Sequence, residues 1–145
     1  MTVTALTRAT VYNRDNNMCV LAQVDHRFDK CSGPLTLQHT VGRGMGGSHL
    51  FDTPDLLVAM CNGHNTLATS DAKFARFCTG RGLVRSRNSS RDPRLVPVEY
   101  ADGWFRLEGD QRVPVDELSA LEFMFLIGAL SNELEERSLV CRKRR

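Results

Sequence analysis

Cys19, Cys31, Cys61 and His64 carry the donor chemistry of a soft-metal site. The stretch "CNGH", residues 61–64, sets a thiol and an imidazole two residues apart across Asn62 and Gly63. At that spacing a tight turn lets both face one ion. Cys19 and Cys31 have eleven residues between them, so only the fold can bring that half of the set to the other. Three thiolates with one imidazole suit zinc, and a small chain gains stability from such a crosslink. The same residues also read as three small packed thiols and an ordinary polar histidine. His26 and His49 are spare imidazoles, either able to stand in for His64, while Cys78 reads as core and Cys141 as a free thiol.

A second set lies in "LQHTVGRGMGGS", residues 37–48, where His39 and Arg43 share a short stretch with four glycines. An imidazole titrates near neutrality and can take a proton from water. Glycines allow tight turns and close backbone approach, and Arg43 can donate two hydrogen bonds to a phosphate. The plain alternative is a flexible hairpin connection. His49, Asp52 and Asp55 lie in or beside the loop and offer an anionic or imidazole ligand. Arg76, Arg81, Arg85, Arg87, Arg91 and Arg94 form a basic series, and Arg142, Lys143, Arg144 and Arg145 a basic tail. Both suit solvated faces, and the first series suits phosphate contacts as well.

The elements that must position these groups fit one modest core, since the chain has 145 residues. The motifs fall within residues 1–84, and 85–145 reads as an extension that packs on that core or forms an interface. A net charge of +2 demands no polyanionic partner by itself. "LEFMFLIGAL", residues 121–130, is too short and too acidic in its flanks to span a bilayer. The N-terminus lacks a basic lead followed by an apolar run, and five cysteines, an odd number, argue against a disulfide framework. The expectation is a soluble, cytoplasmic protein.

Thr4–Tyr12 reads as a short helix or strand, and Cys19–Cys31 as a loop or small hairpin. "PLTLQHTV" alternates with the period of a strand, and Leu56–Met60 is an apolar run suited to a second one. "NTLATSDAKFARFCTG" predicts one helix with Leu67, Phe74, Phe77 and Cys78 on one side, stopped by Gly80 or Gly82. "LVPVEYADGWFRLEGDQRVPV" predicts two strands around a turn at Ala101–Gly103, with a further turn at Gly109 and Asp110. A last helix is predicted over Val115–Leu139.

Taken together, "CSGPLTLQHTVGRGMGGSHLFDTPDLLVAMCNGHN" resembles the core of an HNH nuclease, in the zinc-bound branch frequent in bacteriophages. The resemblance covers roughly Cys19–Cys78. It implies an α+β fold: a small ββα-metal (His-Me finger) core held by a structural zinc, followed here by a β-hairpin and a helix. It further implies a metal-dependent DNA endonuclease or nickase. His39 matches the family's general base, and Asn65 matches the metal-side residue that opens the helix. Cys19, Cys31 and Cys61 match zinc ligands, with His64 in a place that is usually cysteine. Gln38 stands where the family usually has an aspartate or histidine ligating the catalytic Mg²⁺ or Mn²⁺, and its neutral carbonyl binds a hard cation less tightly. Arg43, Arg85, Arg87 and Arg91 are the expected DNA contacts. The resemblance also suggests a phage protein in a bacterial host cell, with phage packaging proteins as possible partners. Two readings from other classes stand beside it. One is a weak or inactive zinc-stabilised nucleic-acid-binding or interaction module, and the other a purely structural zinc domain.

Overall fold

The computed structural model describes residues 3–42, 51–86 and 91–130. Helix α1, Ala5–Arg14, is capped by the Thr4 side chain, which accepts from the Thr7 N–H at 3.1 Å. Asn16 and Asn17 follow in the left-handed region, at φ 58° and 53°, which asparagine tolerates better than most residues. From Met18 to Pro34 the chain forms no strand or helix, so the expected loop between Cys19 and Cys31 holds and the hairpin alternative does not.

Strand β1, Leu35–His39, pairs antiparallel with β2, Leu57–Cys61, so that Leu35 lies opposite Cys61 and His39 opposite Leu57. Every residue of β2 is buried. Leu57 and Ala59 pack on Val11 of α1, whereas Val58 and Met60 enter the main core with Phe74 and Cys78. A strand covered on both faces explains why "LLVAM" is apolar without alternation.

Helix α2, Asn62–Ser70, starts directly at the end of β2, and α3 runs over Ala72–Gly80. The single helix predicted over this stretch is therefore two. Asp71 breaks it by taking an extended conformation, and its carboxylate caps α3 by accepting from the Phe74 N–H at 2.9 Å. Gly82 then turns the chain at φ 75°, where a Cβ would collide with the Pro97 carbonyl.

A second antiparallel sheet contains β3 (Val98–Tyr100), β4 (Gly103–Glu108) and β5 (Gln111–Val115) in that order. The turn read at Gly109 and Asp110 thus returns the chain as a third strand. Val98, Tyr100 and Leu107 share the main core with Cys19, Met60 and Phe74. Trp104 belongs to a smaller cluster with Ala120 and Met124 of α4, Glu117–Leu126. That helix ends well before Leu139, closing at Ile127 and Gly128, the latter at φ 78°. The remainder of the predicted helix, the basic tail and Cys141 lie outside the described residues.

The described residues thus form a small mixed α+β domain with two antiparallel sheets. A buried ion pair ties them together. Asp15 accepts from Arg14 Nε at 2.9 Å, the Tyr100 hydroxyl at 2.8 Å and the Ala59 N–H at 2.9 Å. Arg14 donates onward to the carbonyls of Pro54, Leu57 and Gly109. No described helix is long and apolar enough to cross a membrane.

Candidate functional site

The chain reverses between Cys31 and Pro34 to bring one cysteine beside the start of α2. Two backbone bonds lock this approach, Asn62 N–H to the Pro34 carbonyl at 2.8 Å and Gly63 N–H to the Ser32 carbonyl at 2.9 Å. Gly63 suits this close approach, because a Cβ there would displace the Ser32 hydroxyl and press on the Ser32 backbone. From the other side, Val20 N–H bonds the Ala59 carbonyl at 2.8 Å and fixes Cys19 beside β2.

The result is one cluster of donors. The sulfurs of Cys19, Cys31 and Cys61 and a ring nitrogen of His64 all lie within 4.8 Å of one another. His64 Nδ1 is 3.6 Å from Cys19 Sγ, 3.7 Å from Cys31 Sγ and 3.3 Å from Cys61 Sγ. A tetrahedral zinc with ordinary Zn–S and Zn–N bonds separates sulfur from nitrogen by about 3.5 Å. The donor chemistry and the spacing therefore both fit a structural metal site. His64 Nε2 faces the Asp29 carbonyl at 2.6 Å, and a carbonyl only accepts, so the ring proton sits there and Nδ1 presents its lone pair to the sulfurs.

Electrostatics around the sulfurs follow from position. Burial pushes the Cys19 thiol up to about 12 and raises Cys31 as well. Burial acts in the same sense on Cys61, but N–H groups of His64 and Ser32 outweigh it and bring that thiol below its ordinary value. Cys61 is the N-cap of α2, with His64 N–H pointing at its sulfur, so the helix terminus favours the thiolate. Aromatic rings wall the cluster. Phe74 stacks on His64 with centroids 5.4 Å apart, and His26 meets the same ring edge-on at 5.3 Å. His26 is a neighbour of the donor set, not a member, and His64 keeps its place.

The opposite end of the hairpin has another character. His39 closes β1, and its Nε2 lies 2.8 Å from Asp52 Oδ1, with the side chains 23% and 13% exposed. Between the two ends Asn65, in the first turn of α2, reaches across to the first half of β1. Its Nδ2 donates to Thr36 Oγ1 at 2.9 Å and to the Leu37 carbonyl at 3.2 Å. The Thr36 hydroxyl spends its proton on the Met60 carbonyl, so both partners of Asn65 require a donor and the amide orientation is determined. Asn65 Oδ1 is the atom left for a ligand. Gln38 is buried and its Nε2 donates to the His39 carbonyl at 3.1 Å. Asp55 is spent on structure, accepting from Gly109 N–H at 2.5 Å.

Arg85 corrects the sequence expectation. It is not a free basic side chain for a phosphate: it is 7% exposed and donates to the carbonyls of Gly82 at 2.9 Å and Pro93 at 2.7 Å. Burial brings its guanidinium down to about 9. Arg91 is exposed, with its guanidinium 5.6 Å from the Phe123 ring centroid. Arg43, Arg87 and His49 lie outside the described residues. From the sequence Asp52 reads only as a metal ligand, and its contact with His39 carries no signal there, because thirteen positions and a glycine-rich loop separate the two. Compared with protein-family models, with curated proteins and with solved structures, the chain matches none.

Proposed function

We propose that the chain is a metal-dependent DNA endonuclease or nickase on a ββα-metal scaffold, with a structural zinc held by Cys19, Cys31, Cys61 and His64. The observation that carries the reading is strand β1 itself, which ends in an imidazole paired with Asp52 and receives, at Thr36 and Leu37, the Asn65 amide from the helix that follows β2. His39 acts as general base and takes a proton from the attacking water. Asn65 Oδ1 is the principal protein ligand of a hydrated Mg²⁺ or Mn²⁺, and Gln38 adds at most a neutral oxygen. Magnesium keeps several waters, so so sparse a protein shell is compatible with it. When bound, the ion supplies charge stabilisation at the phosphate and the departing 3′ oxygen. Arg43, Arg87 and Arg91 hold the DNA backbone, residues 1–84 carry the chemistry, and 85–145 are an extension that packs on the core or forms an interface. As a phage-type nuclease it would work in the host cytoplasm.

Gln38 favours a second reading. A neutral, buried amide stands where an anionic ligand is expected, which suits a zinc-stabilised binding module without turnover.

A plasmid-nicking assay across Mg²⁺ and Mn²⁺ titrations separates the two. The parent nicks, and His39→Ala loses about 10²–10⁴-fold in rate with zinc content unchanged. Full activity in His39→Ala refutes the mechanism. A parent that binds duplex DNA but cuts it with neither ion selects the binding module.

A further inference from the structure

We infer that Asp52 is the positioning residue for His39, forming with it a carboxylate–imidazole dyad; the inference rests on the reading of His39 as the base. An ionised carboxylate only accepts hydrogen bonds, so the 2.8 Å contact places the ring proton on Nε2. Nδ1 is left with the lone pair and is the nitrogen that takes the proton from water. Asp52 does not itself take up that proton. It holds the ring in one tautomer and one orientation, and its charge stabilises the imidazolium that forms. With both side chains mostly withdrawn from solvent, the pair is screened less than an exposed one.

The dyad is built on anchored backbone, although it borders a glycine-rich loop. Thr40, which follows His39, uses both its N–H and its hydroxyl on the Leu56 carbonyl, at 2.9 Å and 2.8 Å. The segment leading from Asp52 is tied by Leu56 N–H to the Thr53 carbonyl at 3.0 Å. Arg14 Nη1 adds a bond to the Pro54 carbonyl at 2.7 Å. Arg85 spans both sides: its N–H bonds the Thr40 carbonyl at 2.6 Å, and its Nη1 reaches the Asp55 carbonyl at 3.5 Å. The buried arginine that was expected on DNA therefore fixes the distance between the two halves of the dyad. Orientation held by rigid supports is what a base needs, since small displacements cost rate steeply.

Two measurements on the full chain test this. In proton NMR, the parent shows a downfield, slowly exchanging ring N–H signal that is absent from both His39→Ala and Asp52→Ala; its survival in Asp52→Ala overturns the dyad. In the nicking assay, the near-isosteric Asp52→Asn lowers kcat about 10–100-fold, the range found for partners that orient functional histidines, with KM for DNA and zinc content unchanged. An unchanged kcat overturns the inference while leaving the nuclease reading intact, and an increased kcat does the same by making Asp52 a plug over the base. A parent inactive with every divalent ion overturns the nuclease reading, and the inference with it.

Discussion

At the Leu35–Cys61 end of the hairpin, four metal-competent donors converge, three of them buried and Cys31 exposed, with aromatic rings packed on His64, whose remaining nitrogen is already spoken for by Asp29. At the His39–Leu57 end, about 13 Å along the strand, an imidazole and a carboxylate meet partly in solvent, and the imidazole has a second nitrogen beyond that contact. The same two strands support both ends. The difference is saturation: a site whose donors all face one another can hold an ion but has no position for a substrate, whereas an unsaturated one can. On the nuclease reading proposed above, the closed end belongs to the fold and the open end is the place for chemistry.

Removing the ion breaks the comparison most severely. Structural zinc contributes about 10–16 kcal/mol in small zinc domains, as much as the whole stability of a typical domain. Cys61→Ala, or a strong chelator, should therefore abolish the folded state, while His39→Ala leaves the melting temperature near that of the parent. Circular dichroism melts with elemental analysis check both. Acid should act in the same direction, because protons compete for the thiolates; the metal is held at neutral pH and lost as the pH falls.

A smaller effect belongs to Asn65, which ties α2 to β1. Asn65→Ala removes two hydrogen bonds to β1 and should lower stability by about 1–2 kcal/mol in denaturant unfolding. It should also raise the divalent-ion concentration needed for half-maximal nicking. The smallest effect separates two arginines. Arg91→Ala should reduce the salt slope of duplex binding by about 1 with a loss of stability smaller than that of Arg85→Ala, which should leave the slope unchanged and destabilise the fold. Binding isotherms at several salt concentrations, beside melts of both variants, decide it.

The hairpin and the four donors are legible because each has a local signature: alternation in "LTLQH", an apolar run in "LLVAM", and the spacing of "CNGH", although α2 begins at Asn62, three residues before the helix read from Asn65. What failed to show depended on distant partners. Arg85 sits in a polar stretch and reads as exposed, yet it is buried by carbonyls at residues 55, 82 and 93. Asp15 reads as part of a polar turn, but Tyr100, eighty-five positions away, completes its pairing. The break at Asp71 did carry a signal, since an aspartate at that point can cap a new helix as readily as it can ride within an old one. β5 was hidden by Arg112 and Pro114, residues compatible with the edge of a sheet and poor as advertisements for it.

Cys61, His64 and Asn65 occupy one turn at the start of α2. Each added residue rotates everything beyond it by about 100° around a helix axis. An insertion between His64 and Asn65 would keep every side chain of the sequence and still swing the amide away from Thr36 and Leu37. In that turn the chain is written in phase as much as in letters, and a change of reading length there is costlier than a change of residue.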